Sequence, residues 1–167
     1  MKNLKADFTL LNEIYQECWA TNWGFVPMTR AEMLESIRDL PKIADPDLIF
    51  FPYYDDVPAG VCMLLPDVNP LIKRLNGKIG LIGLLKIQLY RKEIRNLRGV
   101  LFGFKDKYQK FGVSLASWDY VNRKSRENGF RRVEMGWNLE DNRGINQFDL
   151  ALGGFINKRY RLYRKEL

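Results

Sequence analysis

Residues 99–104, Gly-Val-Leu-Phe-Gly-Phe, carry no polar side chain, and a short run of this kind reads as a strand buried on both faces. Such a strand needs cover on each side, which commits the chain to a layered α/β architecture. A polar loop and a helix to about Asn128 follow, with Gly129 as the stop signal. Val133, Met135, Trp137 and Leu139 then alternate with Glu134, Gly136, Asn138 and Glu140, the period of a strand over residues 131–140. Strand, helix and strand in this order predict a β-α-β unit.

Upstream, Leu11, Ile14, Tyr15, Cys18 and Trp19 fall at helical spacing from Phe8, with Asp7 placed to cap the first turn. Thr29 and Glu32 form a capping box ahead of Met33, Ile37 and Leu40, and Pro41 is expected to stop that helix. Residues 48–53 and 61–65 read as two strands joined by the acidic turn 55–60, and Pro52 marks an edge or a bulge in the first of them. Residues 66–98 have a Leu/Ile-rich middle flanked by Lys73, Arg74, Lys78, Lys86, Arg91, Lys92 and Arg95, and are read as a helical insertion. Asn142 opens another helix with Ile145, Phe148 and Leu152 on one face, ended by Gly153 and Gly154, before a terminal β segment containing Tyr160 and Tyr163. The sum is one α/β (α+β) domain over residues 1–167, a mixed sheet flanked by helices.

The absence of histidine narrows the chemistry, because it removes Ser-His and Cys-His nucleophile pairs and histidine-ligated zinc. Cys18 and Cys62 each sit inside an apolar pattern, as buried free thiols would, without the spacing of a disulfide scaffold or a metal site. No stretch reaches the roughly 18 apolar residues of a spanning helix, and no cleavable leader is evident, so a cytoplasmic location is expected. A formal charge of +7 favours anionic partners without choosing among nucleotide cofactor, nucleic acid and membrane surface.

Tyr108, Gln109, Lys110, Phe111, Gly112, Val113 and Ser114 lie between the buried strand and its helix, so their backbone N–H groups are expected to converge at the helix N-terminus. Exposed donors and the positive end of the helix dipole suit a pyrophosphate, and Gly112 lets the backbone approach it. The plainer reading of the same residues is a strand-to-helix turn that contains a glycine.

Gln109-x-x-Gly112-x-Ser114 resembles the Gln/Arg-x-x-Gly-x-Gly/Ala loop of the GNAT superfamily of acyl-CoA N-acyltransferases. Asn142-x-x-Ile145 and Leu152-Gly153-Gly154-Phe155 are similar to that superfamily's Asn-x-x-Ala and Leu-Gly-Phe positions. The segments Asn22-Trp23-Gly24-Phe25-Val26-Pro27 and Trp137-Asn138-Leu139-Glu140-Asp141-Asn142 resemble a bacterial GNAT-like family of uncharacterised function. The resemblance implies a GNAT-like sheet, with the helical insertion between the hairpin and the cofactor strand. Since that fold opens with a strand and residues 1–5 are too few for one, the edge at residues 48–53 is expected to be open to a second copy or a partner.

The resemblance further implies acyl transfer, with acetyl-CoA as donor and a small-molecule or peptide primary amine as acceptor. Phe104, Gln109, Lys110, Phe111, Gly112, Val113, Ser114 and Asn142 would hold the cofactor, with a backbone N–H near Phe104 polarising the thioester carbonyl. No metal is implied. Glu134 and Glu140 are the candidate bases and Tyr160, with Tyr163, the candidate proton donor to the leaving thiolate. Each has a plainer role: Glu134 on a solvated strand face, Glu140 in helix capping, and the tyrosines in packing, while Trp118 and Trp137 read as core. Lys110 stands where many members carry glycine, Ser114 replaces the final glycine or alanine, and Asp149 takes the place of the tyrosine acid. These departures keep a catalytically silent binding or assembly module as the alternative.

The insertion and residues 158–164 interleave cations with aromatic or apolar side chains, as nucleic-acid surfaces do. Solvated faces account for the same pattern, and neither segment matches a nucleic-acid motif.

Overall fold

In the computed structural model, residues 4–38, 40–74, 89–90 and 93–165 are described, and they divide into two compact units, Met1–Gly136 and Trp137–Leu167. In the first unit, α1 (Leu4–Trp19) begins before Phe8, so Asp7 lies inside the first helical turn, where its carboxylate still complements the dipole. α2 (Arg30–Ile37) opens on the expected capping box: Thr29 Oγ1 accepts the Glu32 N–H at 3.3 Å, and Glu32 Oε2 accepts the Thr29 N–H at 2.8 Å. It stops at Ile37, short of Pro41. Pro41 instead sits in the first turn of a separate four-residue helix, α3 (Leu40–Ile43), where a missing N–H costs nothing.

The first predicted strand is shorter than its pattern. Only β1 (Ile49–Phe50) pairs, and the chain breaks before Pro52, which has no N–H to give a ladder. It resumes as a small hairpin, β2 (Tyr53–Tyr54) against β3 (Val57–Pro58), turned by Asp55 and Asp56 at φ of 47° and 60°. Two successive positive φ values match the twist of a tight hairpin, and Asp tolerates them better than most residues. β4 (Gly60–Pro66), α4 (Asn69–Arg74), β5 (Asn96–Phe104), a 3-10 turn (Asp106–Phe111), α5 (Val113–Glu127) and β6 (Arg132–Glu134) complete the unit. Pro66 and residues 96–98 thus belong to strands, which trims the insertion at both ends; its residues 75–88 and 91–92 lie outside the described residues.

The main sheet has the order β1-β4-β5-β6, antiparallel except for the parallel β5–β6 pair. β1 is an outer strand of this sheet. Both faces are covered. Val61 and Met63 pack with Phe8, Leu11 and Ile14 of α1 and Met33 of α2, while Cys62 and Leu64 face Val113 and Val121 of α5. This two-sided burial is why β4 reads as a continuous apolar run.

β5 departs from regular alternation. Leu97 shares a face with Phe102 and Phe104, although 97 and 102 are an odd number of residues apart. The pairing explains it: Met63 lies opposite Leu101 and Leu64 opposite Gly99, so Val100 is an extra residue, a β-bulge. Val100 accordingly turns outward to solvent. β6 pairs with β5 only over Asn96–Arg98, before the bulge, so a strand over residues 131–140 is cut to three residues. The period-two pattern was present, but beyond Glu134 no further rung with β5 forms, although Met135 and Gly136 still lie against Gly99.

In the second unit, α6 (Arg143–Ala151) is capped by Asn142, whose Oδ1 accepts the Ile145 N–H at 3.4 Å. Residues 154–165 are exposed and, among the described residues, join no sheet, contrary to the β segment expected there. Trp137 is likewise exposed rather than core, packed on Tyr160 at 5.9 Å between ring centroids. Among the described residues no helix is long and apolar enough to cross a membrane, and no group of three or more Cys, Asp or Glu is placed to hold a metal.

α1 lies close on β5 because Gly103 has no side chain: a Cβ there would overlap the Trp19 ring. Gly103→Ala should therefore destabilise the unit by roughly 1–3 kcal/mol, the range for overpacking a filled core. A thermal melt of the variant reads this directly, and an unchanged midpoint would mean that Trp19 is not seated there.

Candidate functional site

The end of β5 is fixed on three sides. The Lys105 N–H donates to Ala59 O at 2.9 Å, and Lys105 Nζ lies 2.8 Å from Glu17 on α1. Tyr108 is buried, its N–H on Lys105 O at 2.8 Å and its ring 5.8 Å from that of Tyr54. Gln109 Nε2 donates to Phe104 O at 3.2 Å and to Asp106 Oδ1 at 2.9 Å. Gln109 therefore braces the 3-10 turn from within, and Asp106 is a partner that the sequence reading missed although it lies three residues away.

After this turn Gly112 takes φ 71° and ψ 6°, a left-handed conformation that costs a residue with a Cβ about 1–2 kcal/mol. It is the N-cap of α5 and supplies no side-chain cap, while its carbonyl accepts the Ala116 N–H at 3.0 Å. The N–H groups of Val113, Ser114 and Leu115 precede the first carbonyl that a helix can offer them, so they have no intrahelical acceptor. A Cβ built on Gly112 would meet nothing within 4 Å. The glycine thus satisfies a backbone demand while leaving open space before the positive end of a 15-residue helix. Donors, dipole and room fit a diphosphate group.

The candidate residues fall in two places. Phe104, Gln109, Lys110, Phe111, Gly112, Val113 and Ser114 form one continuous turn in the first unit, with Ser114 half-buried. Glu134, also half-buried, is in the same unit; it lies opposite Arg98 at the last rung of the β5–β6 ladder, where β5 reaches its bulge. Asn142, Glu140 and Tyr160 belong to the second unit. There Asn142 is a helix cap, the Glu140 carboxylate lies 3.9 Å from Arg159 and 3.5 Å from Arg161, and Tyr160 packs on Trp137. Val100, the bulge that ends the β6 ladder, is a feature no sequence signal marked.

Both thiols are poor nucleophiles. Burial pushes Cys18 up to about 12, helped by Glu17 and opposed by Lys105, and burial pushes Cys62 higher despite a hydrogen bond with Ser117. Asp149 is the one carboxylate among the described residues held above its ordinary range. Burial raises it, against the lowering effect of the Asn138 amide that donates to its Oδ2 at 2.8 Å.

No protein-family model matches the chain. It is 34% identical to the bacterial ceramide synthase of Caulobacter vibrioides over 175 residues, spanning 100% of this chain and 45% of that protein. It is 31% identical to Protein YghO of Escherichia coli over 167 residues, 96% of this chain and 43% of that protein. The chain therefore spans less than half the length of these curated relatives. Among solved structures, AAC(6')-Iy in complex with the bisubstrate analogue CoA-S-monomethyl-acetylneamine matches with a TM-score of 0.61 at 14% identity, over 98% of this chain and 94% of that one. An acetyltransferase of Trypanosoma brucei, Tb11.01.2886, matches with a TM-score of 0.51 at 14% identity, over the same shares. The fold is that of the GNAT superfamily.

A carboxyl raised by burial favours folding only while protonated: that contribution is full below the unfolded pKa, near 4, and is lost as pH rises through the folded value. Ionised Asp149 therefore opposes folding at neutral pH. Asp149→Asn keeps an oxygen for the Asn138 amide and should melt higher than the parent at pH 7, with the gap closing as the pH approaches about 4. Melts across that range would refute the assignment if the variant were less stable at pH 7.

Proposed function

We propose that this chain binds an acyl-CoA and transfers its acyl group, acetyl in the simplest case, to a primary amine. One observation carries the reading: an α-helix N-terminus opened by left-handed Gly112, with free space before it, at the end of a strand whose bulge ends its pairing with β6. The GNAT fold supports it, and one structural neighbour is described in complex with a CoA-linked bisubstrate analogue. The name ceramide synthase, borne by a relative at 34% identity, denotes formation of an amide, which is the bond this reaction makes.

On this reading the N–H groups of Val113, Ser114 and Leu115 hold the diphosphate, and Gln109 keeps the turn in shape by binding Phe104 O. A backbone N–H on the β5 edge near Phe104 polarises the acyl carbonyl. The amine nitrogen forms its bond to the acyl carbon as the carbon–sulfur bond breaks. The amine proton passes to Glu134, directly or through water, and the departing thiolate takes up a proton. Glu134 offers a half-buried carboxylate at the end of the β5–β6 ladder, the place this reading gives to the base. A silent module that keeps the fold is the second reading, favoured by Asp149, which hydrogen-bonds Asn138 where the resemblance places a tyrosine acid.

Two substitutions at one position separate charge from backbone strain. Gly112→Asn and Gly112→Asp bear a similar left-handed penalty, but only aspartate sets a negative charge beside the diphosphate. At about 4 Å and an effective dielectric near 20 that repulsion is roughly 4 kcal/mol, so even a screened fraction should weaken CoA severalfold relative to the asparagine variant. Calorimetry with CoA reads the difference; equal affinities would remove the cradle, and no heat from the parent protein would remove the cofactor.

A further inference from the structure

Residues 155–165 are exposed along their whole length, with Phe155 77%, Leu162 82% and Tyr163 89% open to solvent. Isolated apolar side chains on a surface need no explanation, but a run of them with Ile156, Tyr160 and Trp137 nearby in the same unit does. Over residues 155–167 the sequence sets five cations, Lys158, Arg159, Arg161, Arg164 and Lys165, against one carboxylate, Glu166. Few charges oppose an anionic partner here.

The contacts sort the run into two sides. Arg159 and Arg161 both reach Glu140, at 3.9 and 3.5 Å, whereas Tyr160 between them reaches Trp137. This is the alternation of an extended chain. By the same alternation Leu162 falls on the side of Tyr160, with Lys158 and Arg164 beyond them. One side thus offers an indole, a phenol and an aliphatic side chain bordered by long cationic ones, while Glu140 draws two arginines to the other.

We propose that this side of the second unit docks on an anionic lipid bilayer. Trp and Tyr settle at the depth of the headgroups, aliphatic side chains enter the acyl boundary, and lysine and arginine extend to the phosphates. Single-stranded nucleic acid would use the cations and the rings, but it offers nothing for Ile156 and Leu162 to enter. The docking stands on the second unit alone and does not depend on acyl transfer.

The test is co-sedimentation of the full chain with vesicles of phosphatidylcholine alone, or with about one-third phosphatidylglycerol, where each cation near the surface contributes about fivefold in affinity. Binding is expected to the anionic vesicles only and to weaken with salt. Lys158→Glu with Arg164→Glu should lower it at least tenfold, and Ile156→Ser with Leu162→Ser severalfold, with a thermal melt of each variant showing that the fold is kept. Equal sedimentation with both vesicles, or with neither, overturns the proposal. Undiminished binding by the Ile156→Ser, Leu162→Ser variant also overturns it, since that is adsorption by charge alone. Displacement from the vesicles by a single-stranded RNA oligonucleotide at lower concentration than the lipid would reassign the surface to nucleic acid. Calorimetry with CoA on the same preparations reads the acyl-transfer proposal separately.

Discussion

One extra residue in β5 governs the first unit. A strand paired with β4 on one side and β6 on the other would have its backbone groups fully spent, and its end would offer nothing to a ligand. The bulge at Val100 separates those roles. Before it, Asn96–Arg98 pairs with β6; after it, the strand to Phe104 stays bound to β4 through the rungs Val61–Gly103 and Gly60–Phe104. Half of the strand is thereby held rigidly while its other edge is released from β6. A β-bulge beside a binding region is a common use of this irregularity.

The rigidity of this turn comes from packing. α1 lies against β5 over Gly103, and Tyr108 and Val113 bury themselves beside Cys62 and Phe104, so both ends of the 3-10 turn are seated in the core. The turn can then present backbone N–H groups without collapsing onto them, because its own side-chain hydrogen bonds are made internally by Gln109 and Asp106. A preorganised set of donors binds an anion without a further cost of ordering the loop. On the proposed reading, anion selectivity needs no lysine or arginine contact, since helix dipole and N–H groups would supply it.

Local features were legible in the sequence and long-range ones were not. The Thr29–Glu32 box, the Asn142 cap and the helix closed at Glu127 before Gly129 are written within three or four residues, and each formed as read. Gly112 was legible as a glycine between strand and helix, although its left-handed φ required coordinates. Val100 was invisible, because a bulge is defined by how many residues face it across the ladder, and valine is as apolar as its neighbours. The same missing information lengthened β6 to residue 140: alternation tells which face a side chain takes, not whether a strand lies alongside. Residues 158–164 alternate aromatic and cationic side chains as an amphipathic strand would, yet among the described residues they join no sheet.

The most direct test of the central claim is an amide-resolved NMR titration of the chain with CoA. The account predicts shifts that saturate together at Gly112, Val113, Ser114 and Leu115 and along the β5 edge from Val100 to Phe104, where helix terminus and released strand would meet the ligand. Saturable binding that leaves Val113, Ser114 and Leu115 unmoved, or no binding at all, would contradict it.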